Sequence, residues 1–173
     1  MNKQTKILAL LLSVLMLVLA GCGSSGPSKE ISLEEVHNQI KEAYGENYLP
    51  SMPYDSEILE MLYGINPEWV EESVAEGPMI STHVDVFIGI KATEGNADNV
   101  EKALTDYRQN QVDNGLNYPM NMAKIEASQV YRIGDYVFFL ILGAYYEGDN
   151  SDEEPAFYQD QMQIALNILK EYE

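Results

Sequence analysis

The segment SQVYRIGDYVFFLILG (residues 128–143) decides the fold. Gly134–Asp135 is a turn pair between two strand-like runs, so the segment reads as a β-hairpin. Its second run, Tyr136 to Leu142, is apolar at successive rather than alternate positions. Such a strand has no face to offer water and must be central in a sheet and covered. Upstream, THVDVFIGIK (82–91) alternates. Thr82, Val84, Val86, Ile88 and Ile90 point one way and His83, Asp85, Phe87 and Lys91 the other, which predicts a half-buried strand. Between the two lies EGNADNVEKALTDYRQNQVDNGL (94–116), a long helix by its 3.6-residue periodicity. Its buried side carries Val100, Ala103, Leu104 and Tyr107, with Val112 a further candidate, its start is rich in Asn and Asp, and Gly115 follows its last turn. NYPMNMAKIEA (117–127) then reads as a proline-broken turn and a short helical stretch.

Outward from this centre the elements are helical. ISLEEVHNQIKEAYG (31–45) opens with a capping box, Ser32 with Glu35, and a hydrophobic staple of Ile31 on Val36. Leu33, Val36, Ile40 and Ala43 recur at helical spacing, and Gly45 supplies the stop. NYLPSMPYD (47–55) is a turn segment, and SEILEMLYG (56–64) a short helix. After Asn66–Pro67, residues Trp69–Ala75 fit helix or strand equally well. At the far end YYEGDNSDEE is an acidic loop, and Pro155 begins a last helix with the stripe Tyr158, Met162, Ala165, Leu169 and Tyr172. The fold class is α+β: a small, mostly antiparallel sheet of three to four strands with helices packed on it. An N-terminal signal helix precedes it, and residues 31–173 form a single domain.

The first residues have a different character. Lys3 and Lys6 lead into an apolar run from Ile7 to Ala20, broken only by Ser13. Positive, apolar and small, in that order, is the layout of an export signal. The run is shorter than the ~20 residues a bilayer span requires. Leu19-Ala20-Gly21-Cys22 resembles the lipobox of bacterial lipoproteins. The resemblance implies a signal peptide over residues 1–21, lipidation of the Cys22 sulfur, and cleavage before Cys22. Palmitate-type acyl chains would then hold the protein at the extracytoplasmic face of the cell membrane, since two or more chains anchor stably where one does not. GSSGPSKE (23–30) is a Gly/Ser/Pro tether.

Cys22 is the single cysteine of the 173 residues. Disulfides, thiol catalysis and zinc–cysteine sites are therefore excluded from the domain. The chain carries 28 acidic residues against 10 basic ones, a net charge of −18. Loss of Lys3 and Lys6 with the leader makes it more negative still. Such a charge is repelled by nucleic acid and by anionic lipid headgroups, so the partners are the membrane through its lipid, and an envelope protein or a small ligand.

From about Leu59 to Gly143 the order of cues resembles a bacterial lipoprotein family catalogued as domain of unknown function 4358. The residues that carry the likeness are LEMLYGINPEWVEE, then GPMISTHVDVFIGIKATEGNADNVEKAL, NYP at 117–119 and VYRIGDYVFFLILG. The resemblance implies an extracytoplasmic lipid-anchored domain with Trp69–Ala75 as a strand. It brings no catalytic or binding residues with it.

Candidate chemistry is sparse, and no cofactor is indicated. Of the two histidines, His37 is expected on a solvated helix face beside Glu34 and Lys41. His83 and Asp85 share a strand face with Ser81, the components of a hydrolase triad. No G-x-S-x-G elbow accompanies them, and the polar outer face of a strand is the favoured reading. DNSDEEPAFYQD (149–160) has carboxylates at calcium-loop spacing. It lacks the glycine at position six and the terminal glutamate, and acidic residues at a helix start need no metal. No other metal site is indicated. Twelve tyrosines are many for this length. Tyr44, Tyr48, Tyr54 and Tyr63, with Trp69, are the candidates for a ligand groove. The reading is a non-catalytic binding or interaction module. The alternatives are a cell-envelope hydrolase using carboxylates, such as Glu71–Glu72, and a calcium-dependent binding protein.

Overall fold

The computed structural model describes residues 30–173. The expected signal helix, the lipobox residues Leu19, Ala20, Gly21 and Cys22, and most of the tether lie outside the described residues. The hairpin forms as read: β4 (Gln129–Ile133) turns into β5 (Tyr136–Ile141) with Ile133 opposite Tyr136. Every residue of β5 is buried. On its other side β5 pairs with β3 (Val86–Ala92), and β3 pairs with β2 (Val70–Gly77). A two-residue strand β1 (Met52–Pro53) borders β2. The sheet is antiparallel throughout, in the order β1-β2-β3-β5-β4.

Five strands replace the expected three to four. The ambiguous segment is β2, with Trp69 just outside it in a one-turn helix (Pro67–Trp69). The added strand is the proline-bearing β1, at an edge, where a residue without an N–H is tolerated.

Five α-helices pack with this sheet among the described residues. α1 (Leu33–Tyr44) starts at Ser32, whose Oγ accepts the Glu35 N–H at 3.3 Å. Its buried stripe runs Leu33, Val36, Ile40 and Tyr44; Ala43, expected inside, is exposed. α1 lies with α5 (Glu154–Lys170) on one face of the sheet, over Phe87, Phe138 and Leu140. Gly89 of β3 lets α1 approach, because a Cβ there would meet Leu33 at 3.3 Å and Phe138 at 3.2 Å. On the other face, α2 (Ser56–Tyr63) and α3 (Ala97–Asn114) bury Leu59, Tyr63, Val100 and Leu104 against Ile88, Ile90, Val137 and Phe139. α4 (Met122–Ala127) touches both α3 and α5 and joins the two layers at one end.

β3 therefore departs from its expectation. It starts at Val86, not Thr82, and is covered on both faces, not one. Residues 78–85 form an irregular connection, with a turn closed by the His83 N–H on the Ile80 carbonyl at 3.0 Å.

Candidate binding site

Three connections meet where β3 begins and β5 ends, since Val86 pairs with Ile141. They are residues 78–85, the stretch from Gly115 into α4, and the loop from Gly143 to α5. A buried ion pair ties them together. Lys124 of α4 is 1% exposed and Asp85 is 0% exposed. The Lys124 ammonium donates to Asp85 Oδ1 at 2.6 Å and to the Gly143 carbonyl at 2.6 Å. The Tyr145 hydroxyl donates to Asp85 Oδ2 at 3.0 Å, and its ring centre lies 4.0 Å from the ammonium. Gly143 is the residue that fits here: its φ is +106°, and a Cβ would meet Gln161 at 2.8 Å. Burial pushes Asp85 above the usual carboxylate range and Lys124 below the usual lysine range, against their mutual attraction. Burial and the Asp85 charge raise Tyr145, which keeps its proton and remains a donor.

Asn121 sits beside this lock and is also buried. Its amide N–H donates to the Thr82 carbonyl at 2.9 Å, while Oδ1 has no hydrogen-bond partner among the described residues. Two cavities adjoin it. One, of about 220 Å³, runs between Tyr54, Tyr63, Tyr107, Leu116 and Tyr118 and reaches His83 and Asn121. The other, of about 390 Å³, is lined by Thr82, His83, Met120, Asn121, Tyr145, Tyr146, Glu154 and Tyr158.

The rim of these cavities is apolar. Leu62, Leu116 and Tyr118 are exposed at the first, and Met120 at the second. Met79 and Ile80 are exposed between Pro78 and Ser81, which both line the first cavity. Large apolar side chains gathered at one place, rather than scattered singly, mark a surface that meets something.

The five aromatic groove candidates do not form one groove. Tyr44 and Tyr48 belong to the core under α1; Tyr44 donates to the Gln161 carbonyl at 2.7 Å. Tyr54, Tyr63 and Trp69 pack on the opposite face. Of these, Tyr63 stacks on Tyr107 with ring centres 4.4 Å apart. Tyr63 and Trp69 also border a shallow cleft of about 510 Å³ beside α3.

Two readings of polar residues need correction. His37 is buried, not solvated: it lies 2.8 Å from the Tyr48 hydroxyl, 3.2 Å from Glu76 and against the Phe87 ring. Asp85 is not on an outer strand face but sealed inside with Lys124, so it is not free to act as a base for His83. His83 instead packs on Tyr145, with ring centres 5.4 Å apart. Residues 151–153 are a turn leading into α5, and among the described residues no group of three or more His, Cys, Asp or Glu side chains is placed to hold a metal ion. The sequence reading missed Lys124, Asn121 and Tyr145. The one available signal was a charge, Asp85, inside an apolar run.

Fold and site together define an α/β/α sandwich with an apolar-rimmed pocket at one sheet end. Residues 32–142 match the family described as Domain of unknown function (DUF4358), and the chain belongs to that family. The site is built partly within this stretch and partly beyond it, from Tyr145, Tyr146, Glu154 and Tyr158. The chain is also similar to foldase protein PrsA 2 of Listeria innocua serovar 6a, at 24% identity. That alignment covers 88% of this chain and 61% of the relative, so the chain spans less than two thirds of the relative's length. No solved structure matches. Among the described residues no helix is long and apolar enough to cross a membrane.

Proposed function

We propose that this protein is a non-catalytic binding module, anchored through lipid on Cys22 at the extracytoplasmic face of the cell membrane, that holds apolar stretches of other polypeptides. The observation that carries the binding half is the rim of Leu62, Leu116, Tyr118 and Met120 on two adjoining cavities, with Met79 and Ile80 exposed in the connection between Pro78 and Ser81. Two of the six are methionines, side chains that adapt to differently shaped apolar partners. The similarity to a protein named a foldase supports a polypeptide as the occupant. The anchoring half rests on the lipobox-like Leu19-Ala20-Gly21-Cys22 and its export-type leader.

Binding is tested with a fluorescein-labelled peptide of leucine, phenylalanine and serine, followed by polarisation. Replacing Leu116 and Met120 together by serine should weaken it about tenfold or more, because two large apolar contacts are lost. Both side chains are exposed, so the unfolding midpoint should hardly move. Equal affinity in the double variant would remove the rim from the account. Anchoring is tested by Cys22→Ser, which should shift the protein from the membrane fraction to the soluble fraction of its host. A variant that stays membrane-bound would defeat the lipid anchor.

A further inference from the structure

The chemistry of the 390 Å³ cavity goes beyond an apolar surface. Its wall carries an unpaired acceptor and a carboxylate beside the donors of Thr82, His83 and Tyr158. Asn121 Oδ1 is buried beside it without a partner among the described residues. The amide cannot turn round to hide this, because its N–H is committed to the Thr82 carbonyl, which only a donor can satisfy. A buried acceptor left in that state costs free energy that a donor on an incoming group would return. Glu154, in the first turn of α5, adds a carboxylate to the wall. Three tyrosines complete it, and two of their hydroxyl protons point away: Tyr145 donates to Asp85, and Tyr146 donates to the Asn150 carbonyl at 2.8 Å. Those two present ring face and oxygen lone pairs, while Tyr158, whose hydroxyl accepts the Tyr146 N–H at 3.2 Å, keeps its own O–H as a donor. Lys124, beside Tyr145, is spent on Asp85 and Gly143.

An aromatic, carboxylate-bearing pocket with an unpaired buried acceptor favours a positively charged donor over an anion. From Asn121 Oδ1, Glu154 and the tyrosine rings beneath the Met120 rim, we infer that this site reads a lysine-type ammonium within the apolar polypeptide segment it holds. Charge complementarity favours that occupant at longer range too, since a chain of net charge −18 draws basic segments toward it. The inference rests on the binding reading above and specifies its substrate class: an apolar peptide with a single basic side chain.

The test uses the protein and three labelled peptides: the leucine–phenylalanine–serine sequence, the same with one central lysine, and the same with norleucine in place of that lysine. The lysine peptide should bind about tenfold tighter than the norleucine peptide. That advantage should shrink as salt is raised from 0.05 to 0.5 M. In Glu154→Gln the ratio of lysine-peptide to norleucine-peptide affinity should fall by about fivefold. Asn121→Leu should also reduce it, but Glu154→Gln carries the test if that buried substitution unfolds the chain. Equal binding of lysine and norleucine peptides would overturn the ammonium site and leave the binding module standing. An undiminished lysine preference in Glu154→Gln would overturn this pocket as its location. Failure of all three peptides to bind would take both readings down.

Discussion

Replacing Lys124 by methionine is expected to cost about 3–5 kcal/mol of stability, measured by chemical unfolding. Methionine keeps much of the apolar stem and removes the charge. Asp85, 0% exposed, would then be a buried carboxylate with only the Tyr145 hydroxyl to hold it. The Gly143 carbonyl would lose its donor as well. The cost is that of the abandoned partner, not the worth of the bond, so combining Lys124→Met with Asp85→Asn should recover most of it. A pH dependence separates this from simple misfitting. In the unaltered protein the pair holds one proton in total whether it is ionised or neutral, so it adds no slope to stability between its end states. In Lys124→Met, burial raises Asp85 and the Lys124 charge no longer opposes it. A carboxyl group whose folded value lies above its unfolded one favours folding below the unfolded value and loses that contribution as pH rises through the folded one. The gap between variant and unaltered protein should therefore be small near the ordinary aspartate value of 3.8 and widen above it. A gap of constant size across that range would show that lost packing, not the stranded charge, is responsible.

This lock is also where sequence reading runs out, for a physical reason. Elements coded by local pattern were legible: the Ser32 cap, the Gly134 turn and the unbroken apolar run of β5 each act within a few residues. The α+β class and the antiparallel sheet follow from them. β1 was not legible, because two residues, one a proline, become a strand only by meeting Gly77 and Glu76. The second face of β3 looked polar because its charged members stand at the ends. Asp85 precedes the strand, and Lys91 closes it by reaching Glu71 and Glu30 at 2.8 and 3.0 Å. Between them Phe87 and Gly89 are as buried a surface as the opposite face. His37 shares a helix face with exposed Glu34 and Lys41, and it is buried by Tyr48, Glu76 and Phe87, which the chain's return brings in. The site is of this non-local kind throughout. Lys124 and Asp85 are 39 positions apart, as are Asn121 and Thr82. Nothing in MNMAKIEA says that its lysine faces inward. The aromatic count pointed to a groove, but chain reversal after α1 sends Tyr44 and Tyr48 to one face of the sheet and Tyr54, Tyr63 and Trp69 to the other.

That division between faces yields the second large effect. Phe138 and Phe139 are neighbours in β5, both fully buried, and they point into different cores. Either one changed to alanine should lose about 3–5 kcal/mol, since each leaves a cavity under a helix layer that can close only in part. Their effects on binding should differ. Phe138 packs toward Phe87 and Gly89 under α1, away from the site. Phe139 is the stop against which Tyr63 and Tyr107 rest, with ring centres 6.3 and 5.7 Å from its own. Those two tyrosines form a wall of the 220 Å³ cavity below Leu116 and Tyr118. Without Phe139 they can settle inward, and the cavity loses the shape that its apolar rim encloses. At a temperature where both variants are folded, Phe139→Ala should bind the apolar peptide about tenfold more weakly, while Phe138→Ala binds as the unaltered protein does. Equal affinities in the two variants would mean that the tyrosine wall is only core, and that whatever the rim holds does not reach past Leu116 into the domain.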